Sequence, residues 1–129
     1  MAERSVSGHW RGGYQVDVEA GDFTLRVDEP TSVGGTDTGP QPTDLLLAAV
    51  CSCFVLSLAY AATKRDIALG SVSVSVTGTY EGPRFSRMVI TVELPLDDAD
   101  SERLIASAMR VCYVTNTLKQ PPEIEVRRA

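Results

Sequence analysis

Residues 45–65 read LLLAAVCSCFVLSLAYAATKR, and how this run is interpreted settles the architecture. From Leu45 to Ala62 it carries 18 residues without a charge, which is the lower edge of the length needed to cross a bilayer. Ser52, Ser57, the alanines and two cysteines dilute its apolar character. The segments that follow alternate like the strands of a soluble sheet, so a central helix covered on nearly all sides is the better reading. Pro42 suits the first helical turn, where its missing N–H costs nothing, and Asp44 suits the positive end of the helix dipole. Lys64 and Arg65 suit the other end, and the helix is expected to stop there, before DIALG.

Upstream of this helix, Tyr14, Val16 and Val18, then Phe23, Leu25 and Val27, alternate with polar residues around the turn signal EAGD. The pattern predicts a meander of two or three strands. The stretch EPTSVGGTDTGPQP (29–42) is too rich in Gly, Pro, Thr and Asp for a regular element and reads as a surface loop of functional length. Downstream, Val72, Val74 and Val76, and then Met88, Ile90, Val92 and Leu94, predict two half-buried antiparallel strands joined through YEGPRF. PLDDADSERLIASAMRVC (95–112) opens on capping aspartates and places Leu104, Ile105, Ala108, Met109 and Cys112 at helical spacing. Ile124 and Val126, after QPP, predict a short terminal strand.

The chain has 129 residues, 43% of them hydrophobic and 22% charged, the profile of one globular domain rather than a disordered chain. Net charge is −5, and the 12 Lys and Arg are scattered, so no basic patch exists to hold nucleic acid. The N-terminal MAERSVSGHW has neither an apolar signal core nor an Arg-rich presequence, which makes the cytoplasm the expected compartment and a membrane partner unexpected. Thiols stay reduced there, and three cysteines, an odd number, point to reactive, metal-binding or buried side chains rather than a disulfide framework.

On a helix, residues two apart are turned about 200° from each other. Cys51 and Cys53 therefore face opposite ways and cannot close a disulfide or share a metal without breaking the helix. Any bond either forms must go elsewhere. Buried packing accounts for Cys51, and the lone His9, beside Trp10 in a strand, is a structural residue rather than the base of a Cys–His pair.

The segment GPQPTDLLLAAVCSCF (39–54) resembles the signature of the OsmC/Ohr family, osmotically induced protein C and organic hydroperoxide resistance protein, in which a Gly-rich loop and an apolar helix lead to a Cys-Phe pair. SAMRVCYVTNTLK (107–119) resembles that family's second cysteine segment, and the likeness runs from GGYQVDVEAGDFTLRVDEP to the terminal strand. It implies an α+β OsmC-like fold: antiparallel sheets wrapped around a long central buried helix, as an intertwined homodimer with active sites at the subunit interface.

The resemblance also implies a chemistry. Cys53 would be the peroxidatic cysteine of a thiol-dependent peroxidase acting on organic or lipid hydroperoxides in oxidative-stress defence, and Cys112 the resolving one. An external dithiol of lipoyl or thioredoxin type would then reduce the disulfide, with no bound cofactor and no metal. Phe54 and Leu56 would line an apolar substrate pocket. The family favours its thiolate with an arginine held by a glutamate; Arg26 and Arg11 are the candidates here, Arg26 the favoured one. Thr43 stands where the glutamate would be, with Asp44 beside it but about 100° round the helix, and Tyr113 replaces the proline after the second cysteine. The alternative reading is a non-catalytic OsmC-like protein that binds a small apolar ligand at the dimer interface.

Overall fold

The computed structural model describes residues 2–129 and orders them as β1 (Ser7–Gly12), β2 (Gln15–Ala20), β3 (Phe23–Val27), α1 (Pro42–Lys64), β4 (Ser73–Glu81), β5 (Arg84–Glu93), α2 (Asp98–Val111) and α3 (Tyr113–Lys119), with one 3-10 turn at Thr31–Val33. The chain divides into two compact units, residues 1–46 and 47–129.

In the first unit, β1, β2 and β3 form an antiparallel meander. Register places Val16 against Val27, Val18 against Leu25 and Asp17 against Arg26. The loop after β3 folds around one carboxylate. Asp28 is fully buried and accepts bonds from the N–H groups of Glu29, Thr36 and Thr38 and from the Thr36 and Thr38 hydroxyls, at 2.6–3.4 Å. Two glycines make that fold possible, because a Cβ on Gly35 would stand 1.9 Å from the Glu29 carbonyl oxygen and one on Gly39 2.1 Å from that of Arg26. The sequence expectation of an irregular loop holds except for the 3-10 turn.

In the second unit, β4 and β5 form a two-stranded antiparallel sheet in which Val74 faces Val92 and Val76 faces Ile90. The inward residues of this sheet pack on a core built from Phe54, Leu58, Ala61 and Ala62 of α1 and Leu104, Ala108 and Cys112 of and beyond α2. α2 starts as its sequence predicts: Asp97 is the N-cap, its carboxylate accepting from the Asp100 N–H at 2.8 Å. Such a cap satisfies a backbone donor that the helix itself cannot.

Three expectations are corrected. α1 is covered along one stripe rather than on nearly all sides: Val50, Phe54, Leu58, Ala61 and Ala62 are buried while Leu56 is 70% exposed. The second cysteine segment, which the sequence assigned to no regular element past Cys112, continues as α3 over Tyr113–Lys119. The terminal strand does not form, and Ile124 and Val126 are 83% and 92% exposed, because among the described residues no strand pairs with this segment. α1 is also the one helix among the described residues long and apolar enough to cross a membrane.

Candidate active site

α1 delivers Cys51 and Cys53 to opposite sides, as helical geometry requires. The Cys51 thiol donates to the Val74 carbonyl of β4 at 3.3 Å, a sulfur bond that ties the helix to the sheet. Cys53 is half-buried and faces the segment between α2 and α3, where Cys112, fully buried, ends one helix and caps the next. Cys53 packs against the cluster that contains Cys112, and Cys53 and Ser57, one turn beyond it, both bear on the Cys112 thiol. The Ser57 hydroxyl also donates to the Cys53 carbonyl at 2.8 Å.

Burial alone pushes the Cys112 thiol up, since a thiolate is poorly solvated away from water. Bonds from the Thr115 hydroxyl and N–H, and from Cys53 and Ser57, outweigh burial and bring Cys112 below its ordinary value. Geometry divides access from charge: Cys53 is the thiol open to a ligand, and Cys112 is the covered sulfur whose surroundings favour the anion.

A cavity of about 690 Å³ opens on Cys53. Cys53, Leu56, Ser57 and Tyr60, at spacings of three, four and seven, form its α1 wall. The facing wall comes from Arg110 and Val111 at the end of α2 and from Tyr113 and Asn116 of α3. Asn116 Nδ2 donates to the Arg110 carbonyl at 3.2 Å and Thr115 Oγ1 to the Cys112 carbonyl at 3.3 Å, so α3 is fastened across the junction at Cys112 between the helices. Exposed wall area is mostly apolar, with the thiol as the reactive group in reach.

Of the two residues expected to line a substrate pocket, Leu56 does so and Phe54 does not. Phe54 is one position, about 100°, further round α1; it is 3% exposed and belongs to the core, where it borders a separate cavity of about 290 Å³ beneath β5. Tyr60, Ser57 and Arg110 were not singled out from sequence. The helical repeat counted forward from Cys53 identifies the first two; nothing in the sequence alone points to Arg110.

The other predicted residues lie in the first unit. Arg26 and Arg11 both bond one carboxylate, Asp17, at 2.5 and 2.8 Å. Asp17 is accordingly held low, at about 2, by Arg26 first and Arg11 second. Asp44 is exposed and accepts from Gln41 Nε2 at 3.4 Å, so the acid that holds Arg26 is Asp17 and not Asp44. Among the described residues no group of three His, Cys, Asp or Glu is placed to hold a metal ion.

A pair of thiols between a long apolar helix and a capped second helix, in an α+β frame of small antiparallel sheets, defines the class. The family model for OsmC-like protein matches residues 35–127, and the chain belongs to that family. Among solved structures the fold is similar to an OsmC-like protein from Mycoplasma pneumoniae (TM-score 0.82, 16% identity, 93% of this chain and 89% of that one). It is similar also to an organic hydroperoxide resistance protein OsmC from Legionella pneumophila (TM-score 0.68, 24% identity, 92% and 90%). A third likeness is to an organic hydroperoxide resistance protein from Elizabethkingia anophelis (TM-score 0.68, 23% identity, 91% and 89%). No curated protein matches the chain in sequence.

Proposed function

We propose that this protein is a thiol-dependent peroxidase that reduces organic or lipid hydroperoxides in oxidative-stress defence. One observation carries the reading: an accessible thiol, Cys53, bears on a covered one, Cys112, at the wall of a largely apolar cavity. Family membership and the organic hydroperoxide resistance proteins among the structural neighbours support it.

The steps balance. The Cys53 thiolate attacks the terminal oxygen of the hydroperoxide, the O–O bond breaks, and the alkoxide takes a proton to leave as the alcohol, with Cys53 oxidised to the sulfenic acid. Cys112 then attacks the Cys53 sulfur, forming the disulfide and releasing water. Two electrons from an external dithiol of lipoyl or thioredoxin type restore both thiols. The surroundings that favour the Cys112 anion also make it the better attacking group in the second step. Leu56, Val111 and Tyr113 supply apolar wall for an organic tail, which favours alkyl hydroperoxides over hydrogen peroxide.

A homodimer is part of the proposal. Trp10, Phe23, Leu56 and the alternating terminal segment with Ile124 and Val126 leave large apolar side chains open in one chain, and a second copy would cover them. The cytoplasm, where a reduced resting state is maintained, is the proposed compartment.

The test is to treat the reduced protein with cumene hydroperoxide and, separately, hydrogen peroxide, counting free thiols with time and mapping new disulfides by peptide mass. The expected result is loss of two thiols to a Cys53–Cys112 bond, faster with the organic peroxide and abolished in Cys53→Ser, while Cys51 stays free. Survival of all three thiols through many equivalents of either reagent would overturn the reading. It would favour instead a non-catalytic binder of a small apolar ligand, which Thr43 at the family's glutamate position, and both candidate arginines being bonded to Asp17, make the second choice.

A further inference from the structure

The wall of the cavity that opens on Cys53 carries one guanidinium. Ser57, Tyr60, Tyr113 and Asn116 bring hydroxyl and amide groups to it, and Arg110 brings the fixed positive charge. Arg110 belongs to the last turn of α2, and that position alone accounts for a cation, because the carbonyl end of a helix favours one. Its bonding asks for more. The Arg110 Nη2 donates to the Ser107 hydroxyl oxygen at 3.1 Å, and among the described residues this is the one bond its side chain makes.

The other arginines near a partner are engaged differently. Arg11 and Arg26 bond Asp17, Arg103 bonds Asp100 and Arg127 bonds Glu125. Among the described residues no carboxylate pairs with Arg110. Ser107 receives a second guanidinium as well, that of Arg65, at 2.6 Å. Arg65 stands off the cavity wall, donating also to the Ala61 carbonyl at 3.2 Å. A neutral hydroxyl offsets none of the repulsion between two such charges, so Arg110 gains from any negative charge that forms on the cavity side.

We propose that Arg110 is the cation of the thiol cavity, favouring the Cys53 thiolate and then the alkoxide that departs when this thiolate attacks a hydroperoxide. The second half rests on the peroxidase reading; the first needs only that Cys53 ionises. During the attack one negative charge moves from sulfur to the departing oxygen. The S–O bond forms, the O–O bond breaks, the terminal oxygen keeps its proton in the sulfenic acid, and the alkoxide takes a proton from solvent. A guanidinium on the wall stabilises both ends of that path and gives up no proton, since it stays charged throughout. The assignment places this task on α2, two residues before Cys112, and not on Arg26 or Arg11.

The test alkylates the reduced protein with iodoacetate, an anion, and separately with iodoacetamide, its neutral counterpart, following the Cys53 peptide by mass. One thiolate reacts with both reagents, so its population and its accessibility cancel in the ratio of the two rates, and the local charge remains. Arg110 is exposed, so its substitution leaves the core in place. In Arg110→Gln the ratio of iodoacetate to iodoacetamide rates is expected to fall about three- to tenfold, the scale of one partly screened charge. Arg110→Lys is expected to keep most of the wild-type ratio, and Arg103→Gln, on the same helix, all of it. Thiol loss to cumene hydroperoxide is expected to slow in Arg110→Gln by at least the same factor and to recover in part in Arg110→Lys. A ratio unmoved by Arg110→Gln, or moved as far by Arg65→Gln, would overturn the assignment and leave the peroxidase standing. A ratio that falls in Arg110→Gln and holds in Arg110→Lys, in a protein whose thiols resist every hydroperoxide, would keep Arg110 as the cation of the cavity and remove the peroxidase.

Discussion

Within residues 2–46 the buried side chains are Val27 and Asp28, whereas within residues 47–129 a contiguous apolar cluster runs from Phe54 through Leu58 and Leu104 to Cys112. The first unit is organised by directed polar bonds converging on Asp28 and Asp17; the second by close packing with the thiols at its edge. Such different construction predicts different vulnerabilities. Charge chemistry should govern the first unit and cavity formation the second, and each unit carries its own reporter. Trp10, the one tryptophan, is in β1, and Cys112, fully buried and so reachable by thiol reagents only on opening, is in the other.

The largest effect is expected in the packed unit. Leu104 is fully buried and faces the helix that carries Cys53, so Leu104→Ala removes three heavy atoms and leaves a cavity. A loss of about 2–5 kcal/mol of unfolding free energy is expected, read by urea titration with Cys112 labelling as the probe. A loss below about 1 kcal/mol would mean that the unit relaxes into the space, and the contrast drawn between the two regions would fail.

The polar unit should fail through its carboxylates. The Thr36 hydroxyl, then the Thr38 hydroxyl and the Thr38 and Glu29 N–H groups, hold the Asp28 carboxyl well below the usual range in spite of its burial. Asp28→Ala leaves those donors without an acceptor, so amide exchange across residues 29–38 should accelerate strongly while that of α2 stays as in the wild type. Protection lost equally in both places would show that the units are one cooperative block.

Asp17 gives a smaller, pH-resolved version of the same test. Its value in the folded chain is about 2 against a usual 3.8, so the bonds to Arg26 and Arg11 contribute stability that is fully present above 3.8 and lost as pH falls through about 2. By linkage, Asp17→Asn should unfold more readily than the wild type near about pH 6, with the difference shrinking below the usual 3.8 and gone only once pH is below about 2. Trp10 fluorescence in denaturant titrations reads it. A difference that persists unchanged to the acid end would show that the carboxylate acts by shape rather than by charge.

Much of this architecture was legible because periodicity reports burial directly. The start of α1 at Pro42, the Asp97 cap and the paired valines of β4 and β5 follow from local rules that no tertiary contact overturned. The helical turn between Cys51 and Cys53 gave their opposite directions, and the same turn counted onward would have given Ser57 and Tyr60. Other features were out of reach for physical reasons. Phe54 sits one position from a cavity residue, and apolar character alone cannot tell a pocket wall from a core. Asp17 takes Arg26 because the register of β2 on β3 sets them face to face, a long-range fact with no sequence signature. Arg110 meets Arg65 only because helix packing brings Ser107, 42 residues further along the chain, against Arg65. The terminal segment shows that alternation states a capacity to pair and does not supply the partner.

The smallest effect separates the two sides of α1 themselves. Cys51 and Cys53 share a helix, a half-buried setting and a chemistry, and differ in what each meets: a sheet carbonyl for Cys51, a second thiol and an open cavity for Cys53. Cys51→Ser keeps a donor for the Val74 carbonyl, so the rate of peroxide-driven thiol loss should stay within about twofold of wild type and stability within about 1 kcal/mol, the scale of one exchanged neutral hydrogen bond. Thiol counting and urea titration on that one variant read both quantities. Were Cys51→Ser to slow thiol loss tenfold, the sulfur on the sheet side would be taking part, and the assignment of reactivity by helix face would have to be abandoned.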